Sequence, residues 1–308
     1  MSATRLHADE VAIDAALAGR LVASQFPAWR DLALTRIASG GTDNAIFRLG
    51  EEFCVRMPRY PAAAALVGRE KLWLSRLAPQ LPLAIPTPLA MGSPGEGYPF
   101  SWSICRWIAG EDAMTGRLSD GGAAARTLAG FIAALRAIDA SGGPPCGDAN
   151  FERGVPLAQR DRRVREAIAL LPEDIDACAV ARAWEEALAA PLWPDAPAWL
   201  HGDIHPGNLI LRDGAIVAVI DFGCVGIGDP ACDLQPAWTL FSAAERAIFR
   251  AHLAPDEASW VRGRGWALSV AVIALPYYTG RNPVIVGMAR RAIDQILLDR
   301  GLSACRAS

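Results

Sequence analysis

Asp203, Asn208 and Asp221 are three oxygen-bearing side chains at a spacing that suits phosphoryl transfer from a nucleotide. They lie in two motifs, Leu200-His201-Gly202-Asp203-Ile204-His205-Pro206-Gly207-Asn208 and Asp221-Phe222-Gly223. Asp203 can accept the proton of a substrate hydroxyl, and Asn208 and Asp221 can hold magnesium against nucleotide phosphates. Such chemistry is mostly positioning and charge neutralisation, so a few oxygen ligands suffice. The pattern H-x-D-x-x-x-x-N followed by D-F-G is specific, because two spaced motifs must occur in the right order. The bland alternative is a polar loop beside a turn. A third reading takes His201-x-Asp203-x-His205 as part of a metallohydrolase site; it needs further nitrogen ligands, and only His7 and His252 remain.

These residues must be positioned by local structure. Leu209 to Leu211 and Ile216 to Ile220 are apolar runs joined by Arg212-Asp213-Gly214, and D-G between such runs predicts a hairpin. Asn208 then begins one strand and Asp221 ends the other, which brings both proposed metal ligands to the same end. Upstream, residues 10–25 show helical apolar spacing, and residues 34–57 read as short strands around turns, with Gly50-Glu51-Glu52 as a hairpin turn. Ala62 to Ala78 predicts a helix carrying Leu66, Glu70, Trp73, Leu74 and Leu77 at helical steps, ended by Pro79 to Pro88. Tyr98 to Ile108 reads as a strand closed by Ala109-Gly110-Glu111. Helices are then expected over 123–138, 157–171, 177–190, 242–253, 257–274 and 284–299. No repeat or low-complexity tract is present.

The chain has 308 residues, 52% of them hydrophobic, which is enough for one large domain or two lobes. Its net charge of −3 disfavours a nucleic-acid partner. Lys71 is the only lysine, so an arginine can stand where a lysine is expected. The composition shifts near residue 107: residues 1–106 carry a net +2 and residues 107–308 a net −5. Seven scattered cysteines, odd in number and without a C-x-x-C pair, read as buried, reduced thiols. No secretory signal and no apolar run of transmembrane length appear, so the expectation is a cytoplasmic protein with no membrane partner.

With those residues in view, the chain resembles the aminoglycoside phosphotransferase family, which shares the protein-kinase-like fold. The resemblance runs from about Leu34 to Trp238. It implies an α+β, bilobal protein-kinase-like fold, with a β-rich nucleotide-covering lobe at 1–106 and a larger helical, catalytic and substrate-binding lobe at 107–308. By that match Asp203 is the catalytic base, and Asn208 and Asp221 are Mg2+ ligands. His201 supports the loop by hydrogen bonding. Gly228-Asp229-Pro230-Ala231-Cys232-Asp233-Leu234 looks like the family's G-D-P-x-x-D-L stretch, so Asp229 and Asp233 are expected to brace the loop as well.

Ser39-Gly40-Gly41-Thr42-Asp43-Asn44 resembles the nucleotide-covering turn, which places Gly40, Gly41 and Thr42 at the phosphates. Arg56 stands where kinases usually carry lysine; it keeps the charge but is longer and planar. Glu70 looks like its paired glutamate, although the two read equally as an ordinary surface pair when taken alone. Lys71 is a poor substitute for Arg56, because adjacent helix positions do not share a face. Arg106 to Ile108 would connect the lobes and offer main-chain groups to a purine.

The resemblance implies an O-phosphotransferase using ATP or GTP and acting on a small-molecule hydroxyl. Asp229 follows Asp221 by only eight residues and no A-P-E segment is present, so no peptide-docking activation segment fits. The acidic balance of the second part suits a cationic amino sugar or aminoglycoside-type antibiotic. Alternatives are a metabolic kinase for a sugar or amino alcohol, a macrolide kinase, and a nucleotide-binding pseudokinase. The last would normally have lost the base or a metal ligand. Trp238, Trp260 and Trp266 can line a pocket or simply pack. Glu111, Asp112, Asp256 and Glu257 can attract a cation or lie on a solvated face. Monomer and homodimer both remain open.

Overall fold

The computed structural model describes residues 9–37 and 43–302. Its contacts divide the chain into two units, Met1–Gln80 with Ala84–Ala109, and Leu81–Leu83 with Gly110–Ser308.

In the first unit, α1 (Ala15–Gln25) and α2 (Pro61–Leu77) accompany five strands: β1 (Leu34–Arg36), β2 (Asn44–Leu49), β3 (Phe53–Pro58), β4 (Pro88–Gly92) and β5 (Trp102–Arg106). The sheet is antiparallel throughout, in the order β1-β2-β3-β5-β4. Gly50, at φ 57, turns β2 into β3 as Gly50-Glu51-Glu52 predicts, and Leu49 pairs with Phe53. Strand alternation explains the core. Ala45, Phe47 and Leu49 of β2 and Val55 and Met57 of β3 are buried in one cluster with Ala18, Leu21 and Val22 of α1. Cys54 and Arg56 therefore belong to the other face of β3.

On α2 the buried positions run Ala63, Val67, Glu70, Trp73, Leu74 and Leu77. These are helical steps, and they carry Glu70 into an apolar stripe. The expected helix over 10–25 is shorter, because Asp14 caps it through the Leu17 N–H and the preceding chain is extended. The expected strand 98–108 contracts to Trp102–Arg106, since Tyr98 sits in a tight bridge with Gly95. β4 lies beside prolines and is an edge strand, which hides it from a period-2 reading.

The second unit is mainly helical. In chain order its elements are β6 (Glu111–Asp112), α3 (Gly121–Ala137), α4 (Asp161–Ile168), α5 (Ala177–Ala189), β7 (Ala198–Leu200), β8 (Leu209–Arg212), β9 (Ala215–Val219), β10 (Gly226–Gly228), α6 (Pro236–Thr239), α7 (Ala243–Leu253), α8 (Glu257–Tyr278) and α9 (Pro283–Asp299). Leu128, Phe131, Ile132 and Leu135 of α3 are fully buried, each worth about 1.5–3 kcal/mol of transfer free energy. α8 is buried around most of its circumference and packs against α4, α5 and α9. The expected helix at 157–171 divides into a 3-10 turn at Leu157–Arg160 and α4.

Two small sheets carry the polar loops. β8 and β9 form the expected hairpin, with β6 paired along β8, and β7 pairs with β10. The acidic residues outside the motifs have structural work here: Asp112 accepts from the Met114 and Thr115 N–H groups, Asp256 caps α8, and Glu257 pairs with Arg250. Trp238, Trp260 and Trp266 are buried, and the Trp238 and Trp260 rings lie 4.8 Å apart, so they pack rather than line an open pocket. Among the described cysteines Cys54, Cys105, Cys224 and Cys232 are buried, but Cys146 is half-buried and Cys178 exposed, against the expectation that all are buried. No helix among the described residues is long and apolar enough to cross a membrane.

Candidate active site

The hairpin sets the second unit's polar residues. Asp213 and Gly214 both have positive φ, 52 and 73, the left-handed pair that a two-residue turn between right-twisted strands requires. Leu209 pairs with Val219, and the Ile220 N–H donates to the Asn208 carbonyl at 2.9 Å. Asn208 and Asp221 thus sit at one end of the hairpin. Asp221 has φ 63, a left-handed backbone that turns the chain out of β9 and costs a non-glycine residue about 1 kcal/mol or more.

β7 delivers the loop that holds Asp203, and the loop is braced through its backbone. Asp233 accepts the His201 N–H on one oxygen and the Gly202 N–H on the other, both at 2.7 Å. Burial pushes the Asp233 carboxyl up to about 7, against the pull of those two donors. Gly202, at φ 85, has no room for a side chain: an added Cβ would lie 2.8 Å from the Cys224 carbonyl. Asp229 accepts the Ala231 N–H and is held by the buried Arg262, whose Nε donates to it at 2.7 Å. Asp229 and Asp233 therefore act on the backbone and on α8, as bracing carboxylates do.

His201 is wholly buried. Its Nε2 lies 3.0 Å from the Ile220 carbonyl, and its Nδ1 accepts the Asp203 N–H. The imidazole is therefore neutral, with the proton on Nε2, and burial holds its pKa down at about 4. With both nitrogens engaged, His201 is not a metal ligand. No group of three or more His, Cys, Asp and Glu side chains is placed to hold a metal among the described residues, so the nitrogen-rich set a metallohydrolase needs is not formed there.

The Asp203 carboxylate is flanked by two basic side chains of different kinds. Arg153 Nη2 lies 3.2 Å from Oδ1, and His205 Nε2 lies 3.6 Å from Oδ2. Burial alone would raise this carboxyl, but Arg153 and then His205 outweigh it and hold it well below the ordinary carboxylate range. Asp203 is an anion at any working pH, able to accept and orient a hydroxyl proton. Arg153 is the residue the sequence does not reveal. It sits in a loop after α3 with no periodic pattern, where polar and apolar residues mix from Asp148 to Arg153.

The donor set suits magnesium. Asn208 Nδ2 donates to the Asp203 carbonyl at 2.9 Å, so the amide oxygen is the atom left for a cation. One amide oxygen and one carboxylate, completed by phosphates and water, match a hard ion that seldom takes an all-protein cage.

In the first unit, Arg56 and Glu70 meet as a two-bond pair: Nη1 to Oε2 at 2.8 Å and Nη2 to Oε1 at 3.2 Å. Both residues are buried, at 8% and 5% exposure, so they are not an ordinary surface pair. Arg106 closes β5 with an exposed side chain, and Ile108 follows it half-buried. Gly40, Gly41 and Thr42 lie outside the described residues.

No curated protein matches the chain in sequence. Among solved structures, the GDP complex of aminoglycoside 2'-phosphotransferase-IIIa superposes with a TM-score of 0.72 at 17% identity, covering 94% of this chain and 100% of that one. The macrolide 2'-phosphotransferase MphH from Brachybacterium faecium gives 0.62 at 20% identity, covering 91% and 98%. A streptomycin–ATP ternary complex of APH(2'')-IIa gives 0.58 at 19%, covering 94% and 97%. At these identities the likeness shows a fold, that of the kinase-like phosphotransferases. A family model described as the phosphotransferase enzyme family matches residues 33–266, most of the chain, and the chain belongs to that family.

Proposed function

We propose that the protein transfers the terminal phosphoryl group of ATP or GTP to a hydroxyl of a small molecule, with Asp203 as the residue that orients the acceptor. The observation that carries this reading is the Asp203 carboxylate paired with Arg153 on a loop whose backbone is clamped by Asp233 and whose end, Asn208, is bonded through its carbonyl to Ile220, next to Asp221. A bound Mg2+ would neutralise phosphate charge, and Asn208 and Asp221 are the residues that would hold it. Arg56, held by Glu70, is assigned to phosphate binding. Gly40, Gly41 and Thr42 are assigned to covering the nucleotide, and Arg106 to Ile108 to the purine. His201, Asp229 and Asp233 hold the loop.

The chemistry asked of Asp203 is modest. Its depressed pKa makes it a weak base, so it accepts a hydrogen bond from the hydroxyl and takes the proton as the bond to phosphorus forms. The net −5 of residues 107–308 supports a cationic acceptor, and an amino sugar of the aminoglycoside type is the first compound class to test. Fold likeness to aminoglycoside and macrolide phosphotransferases supports including both classes, with simple sugars and amino alcohols beside them. The test is nucleotide turnover against that panel for the wild type and Asp203→Ala. The expected result is acceptor-dependent turnover that drops by about 10²–10⁴-fold in the variant. Equal behaviour of the two on every compound would remove Asp203 from the reaction.

A further inference from the structure

Phe151 and Glu152 are consecutive non-glycine residues with left-handed backbones, each at φ 57. Such conformations are uncommon singly and persist only where surrounding structure imposes them. Here the imposing structure is visible. Asn150 is wholly buried; its Oδ1 accepts the Gly147 N–H, and its Nδ2 donates to the carbonyls of Arg153 at 2.9 Å and Cys224 at 3.1 Å. Arg160 Nη1 donates to the Phe151 carbonyl, and Glu152 is held by Arg160 and Arg163. Cys224 immediately follows Asp221-Phe222-Gly223, so one asparagine ties the Arg153 turn to the segment carrying a proposed metal ligand.

The turn drives Arg153 inward. Its Nε and Nη1 are buried with no oxygen or nitrogen acceptor among the described residues, only the weakly accepting Cys224 thiol and, beyond it, Cys232 beside the guanidinium. Buried, unsatisfied donors are costly and call for a reason. The remaining nitrogen supplies one: Nη2 reaches Asp203 Oδ1 at 3.2 Å. The Arg153 Cβ would lie only 3.0 Å from a side chain at Gly202, so the turn and the Asp203 loop are packed without slack.

We propose that Arg153 is a positioning residue for phosphoryl transfer: its guanidinium holds Oδ1 of the Asp203 carboxylate and so fixes where Oδ2, which His205 Nε2 approaches to 3.6 Å, meets the acceptor hydroxyl. This rests on the phosphotransferase reading of Asp203. The strained turn and the Asn150 clamp exist to bring the guanidinium to that oxygen. In this assignment Arg153 acts through Asp203.

The test compares wild type, Arg153→Met and Arg153→Lys in two measurements. In crystal structures, the Asp203 carboxylate of Arg153→Met is expected to spread over more than one rotamer, and that of Arg153→Lys to regain the wild-type one. In kinetics, Arg153→Met is expected to lose about 100-fold in kcat while the nucleotide KM stays within about threefold. Its ratio of nucleotide hydrolysed by water to acceptor phosphorylated should rise, and Arg153→Lys should recover most of the loss. An unmoved Asp203 in Arg153→Met, an unchanged kcat, or equal losses of transfer and hydrolysis with a lowered Tm would each overturn the proposal. If the wild type phosphorylates no acceptor, the phosphotransferase reading fails, and the Asp203 rotamer still decides whether Arg153 holds it. Arg153→Gln, which keeps a polar end in the same space, is read the same way if the methionine variant does not fold.

Discussion

The Arg56–Glu70 pair shows what a buried charge demands of its neighbours. Glu70 occupies a core-facing helical position, where an isolated carboxylate is untenable, and both of its oxygens are taken by Arg56. Removing one partner leaves the other charge buried and alone. Glu70→Ala is therefore expected to destabilise the protein by about 3–5 kcal/mol, and Glu70→Gln by less, because the amide oxygen still accepts one bond. Urea unfolding midpoints check this; equal midpoints for wild type and Glu70→Ala would contradict it. His201 carries a pH signature of its own. Its ordinary value is 6.5, and burial lowers it to about 4 in the folded chain. The unfolded chain thus binds a proton over a range in which the folded one does not. The stabilisation is complete above about pH 6.5 and drains as pH falls toward 4, by roughly 3 kcal/mol at the limit. Between pH 7 and pH 5 the wild type should lose more stability than His201→Gln, although the variant is less stable throughout. Parallel losses in the two proteins would show that His201 is not the group responsible.

At the scale of elements, the β8–β9 hairpin is legible in the amino-acid sequence, and the reason is local. Asp213-Gly214 between apolar runs has one economical conformation, and the observed φ values of 52 and 73 are that conformation. An added Cβ at Gly214 would lie 2.7 Å from the Ser119 backbone nitrogen, and a β-branched residue resists positive φ. Gly214→Val is expected to cost about 2 kcal/mol or more and to raise the magnesium needed for half-maximal turnover, since the hairpin aligns Asn208 with Asp221. An unchanged Tm with unchanged magnesium dependence would contradict this. Long helices such as α2, α3 and α9 are equally legible, because several turns of apolar spacing accumulate. Strands β6, β7 and β10 are not, since two or three residues have no period to display and are defined by partners far along the chain. The Arg153 turn is hidden for a related reason: Phe151 and Glu152 adopt backbones that their residue types disfavour, imposed by Asn150 and Arg160. Of the site itself, Asp203, Asn208 and Asp221 can be named from motif spacing, whereas the guanidinium beside Asp203 cannot.

At the scale of the whole molecule, Arg56 and Glu70 belong to the first contact-defined unit, and Asp203, Asn208 and Asp221 to the second. The family match spans residues 33–266 and so takes in all five. It leaves out α9 and the end of α8, while Trp238 of α6 and Trp260 and Trp266 of α8 are packed core and not open surface. The clamped Asp203 loop and the β8–β9 hairpin are together assigned one task, moving a phosphoryl group onto a small-molecule hydroxyl. The decisive experiment is phosphorus NMR of wild type and Asp203→Asn with magnesium, ATP or GTP, and an aminoglycoside as acceptor. The wild type is expected to convert the nucleotide γ-phosphorus into a phosphomonoester on the acceptor, and Asp203→Asn to do so at least about 100-fold more slowly. A phosphomonoester formed at the same rate by both proteins would contradict that assignment.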